Sequence, residues 1–162
     1  MTNQPALRIR EFEDALAQDF YDINAEWIET MFRLEDADRE VLLHPRENVI
    51  DPGGVILFVE ADGHGIIGTC ALKKTGEAAY ELTKMGVRST VRGLKAGEYL
   101  LAATIRRAQE MGANPLYLLT NKDCQAAIHL YEKNGFQHDP DIMRDYGARY
   151  ERCDVAMRFV GA

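Results

Sequence analysis

A chain of 162 residues with 46% apolar content can enclose one core and is short for two ordinary domains, so a single domain over 1–162 is expected. Its 19 Lys plus Arg stand against 26 Asp plus Glu, a net charge of −7, which argues against a nucleic-acid-binding surface. No apolar run approaches the ~20 residues that span a bilayer, and MTNQPALRIR lacks the apolar stretch of an export signal, so no membrane association and a cytoplasmic location are expected. Cys70, Cys124 and Cys153 are widely spaced, without a C-x-x-C pair, and read as reduced thiols.

In chain order, Leu7 and Ile9 alternate with Arg8 and Arg10 as a short first strand. From about Asp14 to Arg33 the period becomes helical, with Phe20, Ile23, Asn24, Trp27, Ile28 and Met31 on one stripe. A shorter helix is expected near Glu35 to Leu43, ended by His44-Pro45. The turn Asp51-Pro52-Gly53-Gly54 leads into a buried strand, Val55 to Val59. Asp62-Gly63-His64-Gly65 and Thr75-Gly76-Glu77 then separate two more strands, Ile66 to Lys74 and Tyr80 to Val87, giving a meander. A third helix carries Leu100, Leu101, Thr104, Ile105, Ala108 and Met111 on one face and stops at Gly112. Leu116 to Thr120 is a short strand. Asp123 is expected to cap a fourth helix with the stripe Ala127, Ile128, Leu130 and Tyr131, stopped by Asn134-Gly135. Past Phe136 a polar loop leads to a last strand through Cys153, Val155, Met157 and Phe159.

Several motifs can be set aside. Gly63-His64-Gly65-Ile66-Ile67-Gly68 satisfies the dinucleotide fingerprint G-x-G-x-x-G, but no helix follows it, so a hairpin turn is the better reading. Ser89 is the only serine and lies outside G-x-S-x-G, and neither H-E-x-x-H nor a P-loop is present. What remains is the segment from ELTKMGV to NGF. There a strand turns through Arg92-Gly93-Leu94-Lys95-Ala96-Gly97 into a helix, and such a turn offers backbone N–H groups and a helix N-terminus to a phosphate. Lys84, Arg88, Arg92 and Lys95 make this stretch locally cationic in an acidic chain, as an anionic ligand requires.

The order and spacing of ELTKMGV, RGLKAGEYLL, YLLT and IHLYEKNGF resemble the GCN5-related N-acetyltransferases (GNAT), and AEWIETMF, the PGG strand entry and YERCDVAM resemble a bacterial branch of that superfamily. The resemblance implies a mixed α/β fold, a mostly antiparallel, splayed sheet of about seven strands with about four helices, binding acetyl-CoA without a metal. The turn fits the family pattern [QR]-x-x-G-x-[GA] at its first and last positions, but Lys95 replaces the central glycine. A side chain at a position needing positive φ costs ~1 kcal/mol or more. The implied cofactor contacts are Met85, Gly86, Val87, Arg92, Gly93, Leu94, Lys95, Ala96, Gly97 and Glu98. Asn121, in the LLTN segment, is a further one, because the family's usual Asn seven residues before Tyr131 is Cys124 here.

Glu81 stands four residues before Met85, as the family's strand glutamate does, and alternation places Glu81, Thr83, Met85 and Val87 on one face. The resemblance makes Glu81 the base that deprotonates an amine, and Tyr131 the acid that protonates the leaving thiolate. In that architecture the first two helices and the last strand line the acceptor side, which nominates Glu26, Trp27, Tyr150 and Arg152 as substrate contacts. Core packing for Trp27 and solvation for Arg152 are the alternatives. The expected function is direct acetyl transfer from acetyl-CoA to the primary amine of a small molecule. A protein or peptide N-acetyltransferase and a catalytically degenerate acyl-CoA-binding sensor are the alternatives, and the fold is compatible with a homodimer.

Overall fold

The computed structural model describes residues 4–91 and 94–161. Its strands are β1 (Leu7–Glu11), β2 (Val55–Ala61), β3 (Gly65–Lys74), β4 (Tyr80–Val87), β5 (Leu116–Thr120), β6 (Phe136–His138) and β7 (Val155–Phe159). Its helices are α1 (Ala17–Met31), α2 (Asp36–Leu43), α3 (Ala96–Glu110), α4 (Gln125–Lys133) and α5 (Pro140–Tyr146), with one π-helical turn at Arg46–Ile50. The strands form one mixed sheet in the order β1-β2-β3-β4-β5-β7-β6, antiparallel except between β4 and β5. Six helices of α or π type among the described residues exceed the number the resemblance implies. The fold class itself is as expected.

Strand β2 reads as a nearly unbroken apolar run because both of its faces are covered. Ile56 and Phe58 pack with Phe20 and Ile28 of α1 and Val41 and Leu42 of α2. Leu57 and Val59 pack on the opposite side with Leu100, Leu101 and Ile105 of α3 and Tyr131 of α4. Strand β5 repeats this division: Leu116 and Leu118 join the α3 side, while Tyr117 meets Ile142 of α5. Helix α5 and strand β6 occupy what the sequence reading leaves as a polar loop. The Asp139 side chain accepts from the Asp141 N–H and Pro140 takes the first helical position, so the segment carries its own start signal. Cys153 lies before β7 and not within it.

Two features of β4 shape the site. First, it pairs with β5 at only Tyr80↔Leu116 and Glu81↔Tyr117, after which the two parallel strands diverge. The edge of β4 beyond Glu81 therefore has no strand neighbour on that side among the described residues. Second, the ladder with β3 shifts register between Thr69 and Ala71, and Lys84, opposite the shift, has φ +53°. The extra residue cancels the simple alternation expected for this strand. Met85 and Val87 pack with Leu82 and Tyr80 on the α3 side, so they do not share a face with Glu81.

Candidate active site

Where β4 and β5 separate, a cavity of about 330 Å³ opens, within the size range of small-molecule sites. Its walls come from β4 (Glu81 to Gly86), β5 and the following turn (Leu118 to Asn121), the start of α4 with Tyr131, the end of α1 (Trp27, Met31, Phe32), and Tyr150, Arg152 and Cys153. The strands supply one residue per face every second position, and the missing β4–β5 pairing leaves backbone as well as side chains facing the space. Gly86 is needed for this shape. A Cβ there would stand 2.6 Å from Trp27 Cδ1, so only glycine lets the indole close against the strand.

Of the residues nominated from sequence, Glu81, Tyr131, Met85, Gly86, Asn121, Trp27, Tyr150 and Arg152 meet at this one cavity. Val87, Leu94, Lys95, Ala96, Gly97 and Glu98 do not line it, although a Cβ on Gly97 would lie 3.8 Å from both Met85 Cε and Val87 Cγ2, so the α3 N-terminus abuts the same stretch of β4. Arg92 and Gly93 lie outside the described residues. Lys95 precedes α3 with φ +56°, the left-handed conformation that the family's glycine would adopt without strain. Glu98 pairs with Lys133 Nζ at 3.0 Å. Glu26 is exposed and accepts from the Ser89 N–H, away from the cavity wall. Neither α2 nor β7 contributes a lining side chain.

Glu81 is 1% exposed, and its carboxylate accepts from Arg149 Nη1 at 2.9 Å. Burial raises its pKa above the ordinary carboxylate value, and the cations Lys84, Arg149 and Lys73 oppose that rise without cancelling it. A carboxylate so tuned binds a proton more readily than a solvated one does. Tyr131 is buried, edge-on to Phe136, and its hydroxyl has no protein partner among the described residues. Burial first, then the neighbouring Cys70 and Cys124, pushes its pKa up, so it stays protonated and can donate.

A buried charge cluster, which the sequence reading missed, forms the wall behind Glu81. Asp38, wholly buried, accepts from the Glu35 N–H, Lys84 Nζ at 2.9 Å, and Arg152 Nη1 and Nη2 at 2.6 and 2.7 Å. It thereby closes the capping box of α2 and ties that helix to β4 and to the segment before β7. Burial works against its charge, but Arg152 and Lys84 prevail and hold its pKa at about 2. Lys84 also donates to the Tyr150 hydroxyl at 3.2 Å. Arg152 is not solvated: its planar fork is engaged by Asp38 and Glu35, and it lies 5.9 Å from the Phe32 ring centre and 5.0 Å from that of Tyr150. Of the four cations that make this stretch locally basic, Lys84 points to Asp38 and Arg88 pairs with Asp19 at 2.8 Å.

Asn121 lines the cavity, but its side chain is held on both sides. It donates to the Arg152 carbonyl at 2.6 Å and accepts from the Asp123 N–H at 2.8 Å. This turn, and not an Asp123 cap, leads into α4, where Cys124 is the N-cap and makes no side-chain capping bond.

Comparison with known proteins places this geometry in a family. The model of the acetyltransferase (GNAT) family matches residues 10–136. A mycothiol acetyltransferase of Paenarthrobacter aurescens is 34% identical over 102 residues, 60% of this chain; the chain spans only about a third of that relative's length, 32%. An acetyltransferase of the GNAT family from Staphylococcus aureus superposes with a TM-score of 0.83 at 21% identity, covering 95% of this chain and 98% of the other. A Bacillus subtilis acetyltransferase in complex with coenzyme A does so with a TM-score of 0.69 at 20% identity, covering 95% and 98%. With most of its length matched by the family model and its sheet opening between β4 and β5, the chain belongs to the GNAT acetyltransferase family.

Proposed function

We propose that residues 1–162 act as one acetyltransferase domain that moves an acetyl group from acetyl-CoA directly to a primary amine of a small molecule. The observation that carries this reading is the meeting of Glu81 and Tyr131 at one cavity beside an unpaired edge of β4. An extended pantetheine arm could pair its amides with that edge as a strand would. The phosphates would reach the turn before α3, whose N-terminal N–H groups favour anions. The coenzyme A bound to the Bacillus subtilis neighbour supports the same cofactor here.

An alkylammonium has a pKa near ~10 and cannot attack until it loses a proton, which Glu81 accepts directly or through a water. The neutral nitrogen then adds to the thioester carbonyl carbon, and a backbone N–H of the Met85 to Val87 stretch meets the oxyanion. When the C–S bond breaks, Tyr131 gives its proton to the thiolate, and the second proton of the nitrogen, lost as the amide forms, passes through water to restore the Tyr131 hydroxyl. Lys95 would stand near the phosphates as an exposed cation, in place of the family's glycine.

A thermal-shift titration tests the cofactor assignment. Acetyl-CoA at ~100 times its dissociation constant is expected to add about 2.7 kcal/mol, a rise of several degrees for a domain of this size. NAD should produce none. A shift with NAD alone, or no shift with either coenzyme A or its acetyl thioester at saturation, would remove the reading.

A further inference from the structure

The charges of the cavity wall indicate what kind of amine fits it. An acceptor bearing a carboxylate, such as an amino acid, needs a cation free to pair with it, and a diamine needs a second free carboxylate. Neither is offered deep in this cavity. Lys84 and both terminal nitrogens of Arg152 are engaged by Asp38, and Glu81 is engaged by Arg149. Among the lining residues, Asp123 alone keeps an unpaired carboxylate among the described residues, and it is exposed at the rim. Among the described residues no fully enclosed side-chain nitrogen or oxygen lacks a partner, and the unpartnered Tyr131 hydroxyl belongs to a residue of the cavity lining.

What the wall offers instead is flat apolar surface. Trp27 and Met31 lie one helical turn apart at the end of α1, and Phe32 follows where the chain leaves the helix. Tyr150 lines the same cavity, and the Arg152 guanidinium lies near both the Phe32 and Tyr150 rings. The cation that could have recognised a substrate carboxylate thus helps to fix two aromatic walls. Met31 is 47% exposed, an uncompensated apolar side chain at the mouth.

We propose that the acceptor is a primary amine carried on an aromatic or comparably flat apolar body, which lies against Trp27, Met31, Phe32 and Tyr150 while the nitrogen reaches Glu81. This rests on the acetyl-transfer reading for the role of Glu81, but the apolar wall can be tested without turnover. The amine would arrive as a monocation without a carboxylate, as the product of a decarboxylase or a reductive amination would.

Trp27 is the single tryptophan of the chain and lines the cavity, so its fluorescence reports occupancy directly. With coenzyme A present to fill the cofactor arm, phenethylamine, putrescine and glutamate are titrated under tryptophan-selective excitation. Phenethylamine is expected to bind roughly tenfold or more tighter than either of the others, the scale on which an apolar pocket discriminates. The Met31→Ala and Phe32→Ala variants should each weaken it several-fold while keeping the acetyl-CoA melting shift, which shows that they fold. Equal or tighter binding of putrescine or glutamate overturns the proposal, as does the absence of a saturable response to phenethylamine. Phenethylamine binding without thiol release from acetyl-CoA would remove the transfer reading and leave the apolar wall standing; thiol release with putrescine alone would do the reverse.

Discussion

The Asp38→Ala variant is expected to lose about 3–5 kcal/mol of stability, because it leaves Lys84 buried without its ion-pair partner. The Lys84 side chain is only 2% exposed and sits at positive φ, so it cannot turn to water without dismantling the β4 irregularity. Arg152 would keep Glu35 as a partner, so the loss falls mainly on Lys84. For a domain of this length that loss is roughly a 6–20 °C fall in melting temperature. Replacing the ion pair as a unit, with Lys84→Met and Asp38→Leu together, should recover part of it, since the desolvation of both charges disappears as well. A melting temperature for Asp38→Ala within a degree or so of the parent would show that the cluster holds nothing together. The same carboxylate gives a pH signature. Its folded pKa of about 2 lies below the ordinary value of 3.8, so its contribution is complete above pH ~4 and is lost as pH falls toward 2. That part is on the order of 2 kcal/mol.

Glu81→Gln is expected to lower turnover by roughly 10²- to 10⁴-fold, the scale of one general-base step, while keeping the shape of the side chain and an acceptor for Arg149. Tyr131→Phe should fall in the same range, because only the proton donor is removed. The two effects separate by pH. The Glu81 pKa is raised, so the parent's rate should decline on the acid side at a pH above the ordinary carboxylate range, and that limb should vanish in Glu81→Gln. Its sign for stability is opposite to that of Asp38. A carboxyl whose folded pKa is raised favours the fold most when protonated, and that advantage fades as pH rises through the folded value. Glu81→Gln should therefore fold at neutral pH at least as well as its buried charge allows. Turnover unchanged in both variants would take the base and acid roles away from these residues.

The elements read most fully from sequence are those with an unbroken period and a turn at each end. The bounds of β4 and β5 agree with the expected Tyr80 to Val87 and Leu116 to Thr120, and Gly112 and Gly135 stop α3 and α4 with positive φ. Glu81, Tyr131, Trp27 and Tyr150, which the family resemblance nominates, line one cavity. What the sequence hid was the irregular residue and the distant pair. Lys84 has none of the glycine or asparagine character that marks a left-handed position, so the face exchange that separates Met85 and Val87 from Glu81 has no local sign. The bonds from Asp38 to Arg152 join residues 114 positions apart, and no spacing rule reaches that far. Helix α5 was legible in principle, because Asp139-Pro140 is a start signal, but its seven residues are too few and too polar to show a helical stripe.

The most direct measurement is of acetyl transfer itself. Acetyl-CoA, the protein and an amine are mixed, free thiol is followed with time, and the amine is weighed by mass spectrometry. Thiol release that depends on the amine, matched by an equal yield of N-acetylated product and lost together in Glu81→Gln, is the predicted result. Acetyl-CoA that binds and stays intact with every amine offered would contradict the account and leave a binding protein in the place of an enzyme.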